Sequence, residues 1–236
     1  MTWKKIEPAA NSRALLCIYY GCLAHTHARQ NITTPAGTNP VAIGGLGGGV
    51  AGASGAGGVF RCGFAAATGF GGCYKACDYI QALGMARKDS YLYVARADNS
   101  VPPVVAKCTI AAVSGNLTCV DSGVATNSVF GAWCIVFSTA GTVAYIADSQ
   151  EPKVKKCPVD ASGNIGTCSE AFFFGAASYP EGMATTIRSD GKQIIAVGND
   201  DGKLSVCTIT ATDDLACTIN TISGASGQTW SVWPGL

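Results

Sequence analysis

Short apolar runs alternate with polar turns along most of the chain. Runs rich in Val, Ile and Tyr, each followed by a polar segment, occur at YLYVA (91–95), VAYIA (143–147) and QIIAV (193–197). Runs of this length and composition, bounded by Gly, Asp, Asn and Pro, predict β-strands joined by tight turns.

Each of these predicted strands has neighbours of the same kind. A further apolar run precedes it, as in GAWCIVFSTAG (131–141) and EGMATTIRSDG (181–191), where Gly141 and Gly191 close equivalent turns. A strand that carries a cysteine follows it, as in KVKKCPV or KLSVCTI, and a last strand ends the repeat. The pattern predicts repeats of four antiparallel strands, which we call a, b, c and d in chain order.

Paired cysteines mark the repeat. Their first members recur at positions 62, 108, 157 and 207, a period of 46 to 50 residues, and the second members follow 10 or 11 positions later. Four-stranded repeats of this length are typical of β-propeller blades. The sequence therefore predicts an all-β chain, a β-propeller of about four recognisable four-stranded blades.

The cysteine pairs have the spacing of cross-strand disulfides. In CPVDASGNIGTC (157–168) the midpoint falls in the predicted turn between strands c and d, so the two cysteines face each other with α-carbons about 4.5 to 5.5 Å apart. Structural zinc sites use closer cysteine spacings, and the chain has no Cys-x-x-Cys redox motif. The predicted disulfides are Cys62–Cys73, Cys108–Cys119, Cys157–Cys168 and Cys207–Cys217. Of the other four cysteines, Cys17 and Cys22 lie in the amino-terminal apolar run. For Cys77 and Cys134 the sequence allows either a bond between them or burial of Cys134 beside Trp133.

The repeat resembles a known group of proteins. The pattern P-x-G-M-A, G-x-x-x-x-A-V, V-C-x-I and C, found in residues 179–217, resembles blades of the seven-bladed lactonase/YncE-like and NHL-like propellers, closest to secreted variants with a c-to-d cysteine pair in each blade. The resemblance covers residues 59–236. It implies the architecture and says little about activity.

The ends of the chain depart from that pattern. The chain shows four cysteine hairpins and then TWSVWPGL, in which Trp230 aligns with Trp133 of strand a. A four-bladed closure, in which the last strand completes the first blade, and an incomplete larger propeller are both compatible with this. The dense glycines of residues 41–58 favour the incomplete form, because glycine packs poorly in a sheet.

The amino-terminal segment predicts an extracytoplasmic protein. Basic residues precede the eleven-residue apolar run 14–24, and small residues follow it, so residues 1–28 are predicted to be a signal peptide or a signal anchor. Residues 29–58 form a Gly-rich linker or an irregular first-blade segment, and residues 59–236 form the blades. The 12 cysteines fit an oxidising compartment, and Asn31 and Asn116 lie in glycosylation sequons. We expect no membrane span in the mature chain if the signal is cleaved.

The charge and the histidine content of the chain exclude two classes of function. The formal net charge is +1, and no stretch clusters Lys and Arg with aromatic residues, so we expect no nucleic-acid partner. The only histidines are His25 and His27, beside the predicted cleavage site, so a Ser-His-Asp triad within the propeller is excluded.

Polar residues of the b-to-c turns are candidate metal ligands. Asp98, Asp148, Asn199 and Asp200 follow strand b in successive repeats and would surround the central channel. Their oxygen atoms suit Ca²⁺ or another divalent cation, and metal-dependent lactonase-type propellers use such residues near this face. The competing interpretation is that Asp and Asn are the ordinary residues of tight turns, in which case no cofactor is needed.

Aromatic residues of the d-to-a connections are candidate ligand contacts. Phe173, Tyr179 and Trp230 lie in the segments 171–182 and 224–233, where aromatic side chains either line a groove or fill the space between blades. The leading hypothesis is an extracytoplasmic binding or scaffold module for a protein or small-molecule partner. The alternatives are a lactonase-like metal-dependent hydrolase using turn Asp and Asn residues, and a truncated propeller without activity.

Overall fold

The computed structural model describes residues 41–45, 58–65, 69–77, 82–96, 104–111, 117–125, 128–148, 150–176 and 178–221, with the side chain of Val59 and those from residue 84 onward. These residues form fifteen strands and contain no helix. In that part of the chain, therefore, no helix is long and apolar enough to cross a membrane.

The strands form four antiparallel sheets in which neighbouring strands follow each other in the chain. Sheet 1 has three strands: β1 Val41–Gly45, β2 Gly58–Ala65 and β3 Gly69–Cys77. Sheet 2 has β4 Ala82–Lys88, β5 Tyr91–Arg96, β6 Val105–Ile110 and β7 Leu117–Asp121. Sheet 3 has β8 Ala132–Phe137, β9 Val143–Asp148, β10 Lys153–Pro158 and β11 Ser169–Phe173. Sheet 4 has β12 Pro180–Ile187, β13 Gln193–Asn199, β14 Lys203–Ile209 and β15 Leu215–Thr221.

The four-stranded repeat predicted from the sequence is confirmed in sheets 2 to 4. The three apolar runs first noted in the sequence are the b strands β5, β9 and β13. Gly141 and Gly191 close the a-to-b turns of sheets 3 and 4 with φ angles of 70° and 80°, a conformation that favours glycine. Strand β1 lies inside the Gly-rich segment 29–58 and pairs with β2.

Three predicted disulfides are present. Cys108–Cys119, Cys157–Cys168 and Cys207–Cys217 join strand c to the d side of the hairpin, with α-carbons 3.9, 4.2 and 3.9 Å apart. These distances are shorter than the spacing of about 4.5 to 5.5 Å predicted for facing residues. Cys62 and Cys73 are cross-strand partners in sheet 1, and their bond stays a prediction because their side chains lie outside the described residues.

Cys134 is a free thiol in strand β8. It packs in the cluster between sheets 3 and 4, and its Sγ donates to the carbonyl of Met183 at 3.5 Å. Burial raises the pKa of this thiol. Cys134 is therefore a free, partly buried residue packed against the core, whereas the side chain of Cys77 lies outside the described residues.

Consecutive sheets pack face to face and bury one apolar cluster between each pair. Val59 of sheet 1 packs with the Met85, Leu92 and Val94 side of sheet 2. Two larger clusters lie between sheets 2 and 3 and between sheets 3 and 4. Burial of these side chains contributes most of the stability, at about 25 cal/mol for each Å² of apolar surface.

One tyrosine and one lysine repeat at each of the last two sheet interfaces. Tyr93 donates to the carbonyl of Gly163 at 2.6 Å, and Tyr145 donates to that of Asp213 at 3.1 Å, so each phenol reaches the c-to-d turn of the following sheet. Lys107 and Lys156 act on the same turns: Lys107 donates to the Ser162 carbonyl at 3.2 Å, and Lys156 to the Thr212 carbonyl at 2.6 Å. We call this pair of interactions the Tyr–Lys contact. It fixes each disulfide-closed hairpin to the preceding sheet.

Strand a of sheet 2 approaches strand a of sheet 3 closely at Gly84. A Cβ atom at position 84 would lie 2.6 Å from both the Cα of Cys134 and the carbonyl oxygen of Trp133. Both atoms belong to the backbone, so relief requires the two strands to move apart.

The substitution Gly84→Ala is therefore expected to destabilise the protein by about 1 to 3 kcal/mol, the usual cost of overpacking. Urea unfolding followed by circular dichroism measures this difference. A midpoint unchanged from the wild type would contradict the close approach of the two strands.

Candidate functional site

One end of sheets 2 to 4 gathers the polar residues that end strand b. Measured from the residue opposite the first cysteine of each repeat, Arg96, Asp148 and Asn199 occupy the same position in β5, β9 and β13. All three are buried. We call this end of the sheets, where strands a and c begin and strands b and d end, the b–c face.

The carboxylate of Asp148 accepts hydrogen bonds from the local backbone. It accepts from the amide of Phe130 at 3.2 Å and from that of Gln150 at 3.0 Å. Burial raises the pKa of Asp148 despite these hydrogen bonds. The side chain therefore ties the segment before β8 to the turn after β9, which is a structural role.

Charged pairs surround the b-to-c turn of sheet 3. Lys155 contacts Glu151, while Lys153 lies 3.5 Å from Glu151 and 3.3 Å from Glu170. The hydrogen bond from Lys155 is the main cause of the lowered pKa of Glu151. Opposite charges thus balance each other on this sheet.

Sheet 4 differs from sheet 3, because two of its buried hydrogen-bond acceptors have no partner among the described residues. A β-bulge lies between Pro180, which pairs with Asn199, and Gly182, which pairs with Gly198, so Glu181 is the extra residue of β12. Glu181 is 5% exposed, and its Oε2 has no hydrogen-bond partner among the described residues. Bulges commonly redirect a side chain beside a functional site.

Asn199 lies opposite this bulge, and Asp200 follows it in the chain. Asn199 is fully buried; its Nδ2 donates to Ser205 Oγ at 3.3 Å, and its Oδ1 has no partner among the described residues. Asp200 donates its amide to the Tyr179 carbonyl at 3.0 Å and accepts the Tyr179 amide on Oδ1 at 2.8 Å. Burial and, second, the charge of Asp200 raise the pKa of Glu181 to about 7.

Two phenylalanines project from the same end of sheet 3. Phe130 is 38% exposed and precedes β8, and Phe173 is 47% exposed and ends β11. Phe172 and Phe174 instead pack in the core, with ring centroids 4.9 Å apart. Phe172 and Phe174 therefore fill the space between sheets, whereas a ligand contact at Phe173 stays a prediction.

The residues predicted for a site separate as follows. Asp148, Asn199, Asp200, Phe173 and Tyr179 lie at the b–c face, and Asp200 binds the backbone of Tyr179. In sheet 2 the position that corresponds to Asp148 is Arg96. Asp98, Trp230, Asn31 and Asn116 lie outside the described residues. Within the described ranges, no group of three His, Cys, Asp or Glu side chains is placed to hold a metal ion.

Glu181 was not singled out in the sequence. Its position corresponds to Trp133 in sheet 3, since both are the bulged residues of strand a. An alignment of strands β8 and β12 that includes the bulge places the carboxyl group of Glu181 at the position of the Trp133 ring. Its burial and its lack of a partner depend on the packing of sheets and could not be derived from the repeat.

Comparisons with known proteins bear on the fold. No protein-family model matches the chain, and no curated protein sequence matches it significantly. Among solved structures, a putative 6-phosphogluconolactonase from Bacteroides fragilis superposes with a TM-score of 0.57 at 12% identity, over 83% of this chain and 58% of that protein. The periplasmic gluconolactonase of Pseudomonas aeruginosa gives a TM-score of 0.53 at 15% identity, over 80% and 55%.

The chain has a β-propeller fold. A protein from Lactobacillus plantarum gives a similar match, with a TM-score of 0.55 at 10% identity, over 79% of this chain and 54% of that one. The chain thus spans a little over half the length of these propellers. At such identities the likeness establishes the fold alone.

Proposed function

We propose that the protein is an extracytoplasmic propeller module that binds a small polar molecule at its b–c face. The observation that carries the proposal is the occurrence, at one end of the sheets, of exposed Phe130 and Phe173 together with the buried, unpartnered acceptors of Glu181 and Asn199. Aromatic surface beside a few fixed polar groups is the usual composition of a small-molecule site. The disulfides support an oxidising compartment.

The chemistry of the acceptors favours a ligand that donates hydrogen bonds. Carboxylate and amide oxygens that lack partners lose their hydrogen bonds to water on burial. The hydroxyl groups of a ligand replace these hydrogen bonds. One of the similar structures is named a putative 6-phosphogluconolactonase and another a periplasmic gluconolactonase. Sugar lactones and the corresponding acids are therefore the first compounds to test.

A second candidate function is hydrolysis of such a lactone. The observation in its favour is Glu181, a buried carboxyl group with a free oxygen that can take a proton from an attacking water molecule. The only histidines of the sequence are His25 and His27, so the carboxyl group of Glu181 is the candidate base.

Binding of gluconate and glucono-lactone to the full chain, measured by isothermal titration calorimetry, tests the proposal. Phe173→Ala is expected to weaken binding about tenfold or more, as loss of an aromatic contact commonly does. Ile187→Ala is the matched control, because Ile187 is 57% exposed and lies at the opposite end of sheet 4.

Equal effects of the two substitutions would contradict a site at the b–c face. Hydrolysis of the lactone faster than its spontaneous rate would favour the hydrolase over the binding module, if Glu181→Gln abolishes the excess rate. Absence of both binding and hydrolysis would favour a truncated propeller without activity.

A further inference from the structure

The outward face of sheet 4 is the side of that sheet turned away from sheet 3. Ile195 and Val197 pack in the cluster shared with sheet 3, so the alternation of strand β13 turns Ile194 and Ala196 to the outward face. Val206 is the cross-strand partner of Ala196 and lies on the same face, 36% exposed. Among the described residues, neither Ala196 nor Val206 belongs to any of the three apolar clusters. Sheet 4 therefore presents an apolar surface that the other described sheets do not use.

Ala196 and Val206 occupy the position of the Tyr–Lys contact. In sheets 2 and 3 a tyrosine and a lysine are cross-strand partners at this position, as Tyr145 and Lys156 are in sheet 3. Each tyrosine and each lysine donates a hydrogen bond to the c-to-d turn of the following sheet. Alanine and valine side chains have no donor, so sheet 4 cannot hold a following hairpin in this way. Its outward face suits a partner that offers apolar surface instead.

The outward face carries no charged side chain on any of its four strands. Register with Ala196 and Val206 places Ala184 of β12 and Thr218 of β15 on this face. The other strand residues that share it are Gly182, Thr186, Ile194, Gly198, Leu204, Thr208, Ala216 and Asn220. An uncharged face meets a copy of itself without charge repulsion, and a two-fold contact between identical surfaces is the commonest arrangement of homodimers.

We infer that two copies of the chain associate through the outward faces of sheet 4. The contact is two-fold symmetric, and Ala196 and Val206 of each copy lie at its centre. It continues the face-to-face packing of the sheets within the chain, where each neighbouring pair buries an apolar cluster. The inference does not rest on the proposed function, because the b–c face is an end of the sheets and takes no part in this contact.

The size of the sheet limits the strength of this association. Its four strands have seven or eight residues each. With a rise of about 3.3 Å per residue and about 4.8 Å between strands, one face covers about 450 Å². Two such faces bury about 900 Å², which is below the roughly 1,200 to 2,000 Å² of stable complexes. We therefore expect a weak dimer that dissociates on dilution.

The test is sedimentation velocity of the full chain over a series of micromolar concentrations. The wild type is expected to pass from monomer to dimer as the concentration rises and to form nothing larger, because a two-fold contact closes on itself. Val206→Lys brings a positive charge from each copy into the contact and should weaken dimerisation about tenfold or more. Ile219→Lys is the matched control and should leave dimerisation unchanged. Ile219 is 42% exposed and pairs with Ser205, on the other face of the same sheet.

Three results would overturn the inference. They are a wild type that stays monomeric, wild-type dimerisation in the folded Val206→Lys variant, and equal weakening by Val206→Lys and Ile219→Lys. If circular dichroism shows that Val206→Lys does not fold, Val206→Ser serves instead, and unchanged dimerisation in that folded variant would likewise overturn it. A monomeric wild type that is destabilised by Val206→Lys and not by Ile219→Lys would assign the outward face to another part of this chain.

Discussion

Tyr145→Ala is expected to lower the free energy of unfolding by about 3 to 5 kcal/mol, the usual cost of deleting a large core side chain. Tyr145 is fully buried and lies in the cluster between sheets 3 and 4. Its removal leaves a cavity and also breaks the hydrogen bond to the Asp213 carbonyl. Because the free energy of unfolding of a domain is typically only about 5 to 15 kcal/mol, this one substitution removes a large part of it.

Tyr145→Phe separates the two contributions. It keeps the ring and removes the hydroxyl, so a loss of about 1 kcal/mol is expected, the usual net value of a hydrogen bond. Tyr93→Ala is expected to match Tyr145→Ala, because Tyr93 makes the same contact between sheets 2 and 3. Urea unfolding monitored by circular dichroism measures all three. Similar stabilities of Tyr145→Ala and Tyr145→Phe would show that the ring is not packed between the sheets.

Removal of one disulfide is the second large effect. Replacement of Cys157 and Cys168 together by alanine is expected to cost about 3 kcal/mol, from the chain entropy that closure of a loop of this length removes. Both residues are changed so that no single thiol is left to form a wrong bond. The loss is measured as the difference in unfolding free energy under oxidising conditions.

Cys134→Ala is the control for the disulfide variant. It removes a thiol from the core without opening a hairpin, so a loss of about 1 kcal/mol or less is expected. A disulfide variant as stable as this control would contradict the stabilising role of the hairpin bond.

The repeating features of the fold could be predicted from the sequence. The b strands followed from their Val, Ile and Tyr content, and the turn at Gly141 followed from its equivalence with Gly191. The cysteine pairs could be placed because a disulfide at equal distances from a turn requires only local geometry. The bond Cys157–Cys168 then followed from hairpin symmetry.

Contacts between sheets could not be predicted in the same way. The Tyr–Lys contact joins Tyr93 to a turn about seventy residues away, and no local pattern specifies that separation. The sequence contains one sign of this contact, which only the structure makes recognisable. Lys107 and Lys156 each directly precede the first cysteine of their hairpin. At the corresponding positions of sheet 4 the chain has Ala196 and Val206, so the outward face of sheet 4 does not repeat the contact.

The candidate site was predicted in part. Asn199 and Asp200 could be selected because Asp and Asn gather in the turns after strand b. The alignment of those turns did not show that Arg96 occupies the position of Asp148, because the register depends on which residue lies opposite the cysteine. The selection of Glu181 depends on its place in a β-bulge and on its burial, and the repeat pattern specifies neither.

Mass spectrometry of the full chain expressed with its amino-terminal segment, intact and after digestion with trypsin under non-reducing conditions, tests the central claim most directly. That claim is an extracytoplasmic propeller with one disulfide closing each c-to-d hairpin. Trypsin does not cut between Cys157 and Cys168, or between Cys207 and Cys217, because no Lys or Arg lies between them. The account predicts peptides that are lighter by two hydrogen atoms per pair and are alkylated only after reduction. Free thiols at these positions, or an unprocessed chain retained in the cytoplasm, would contradict it.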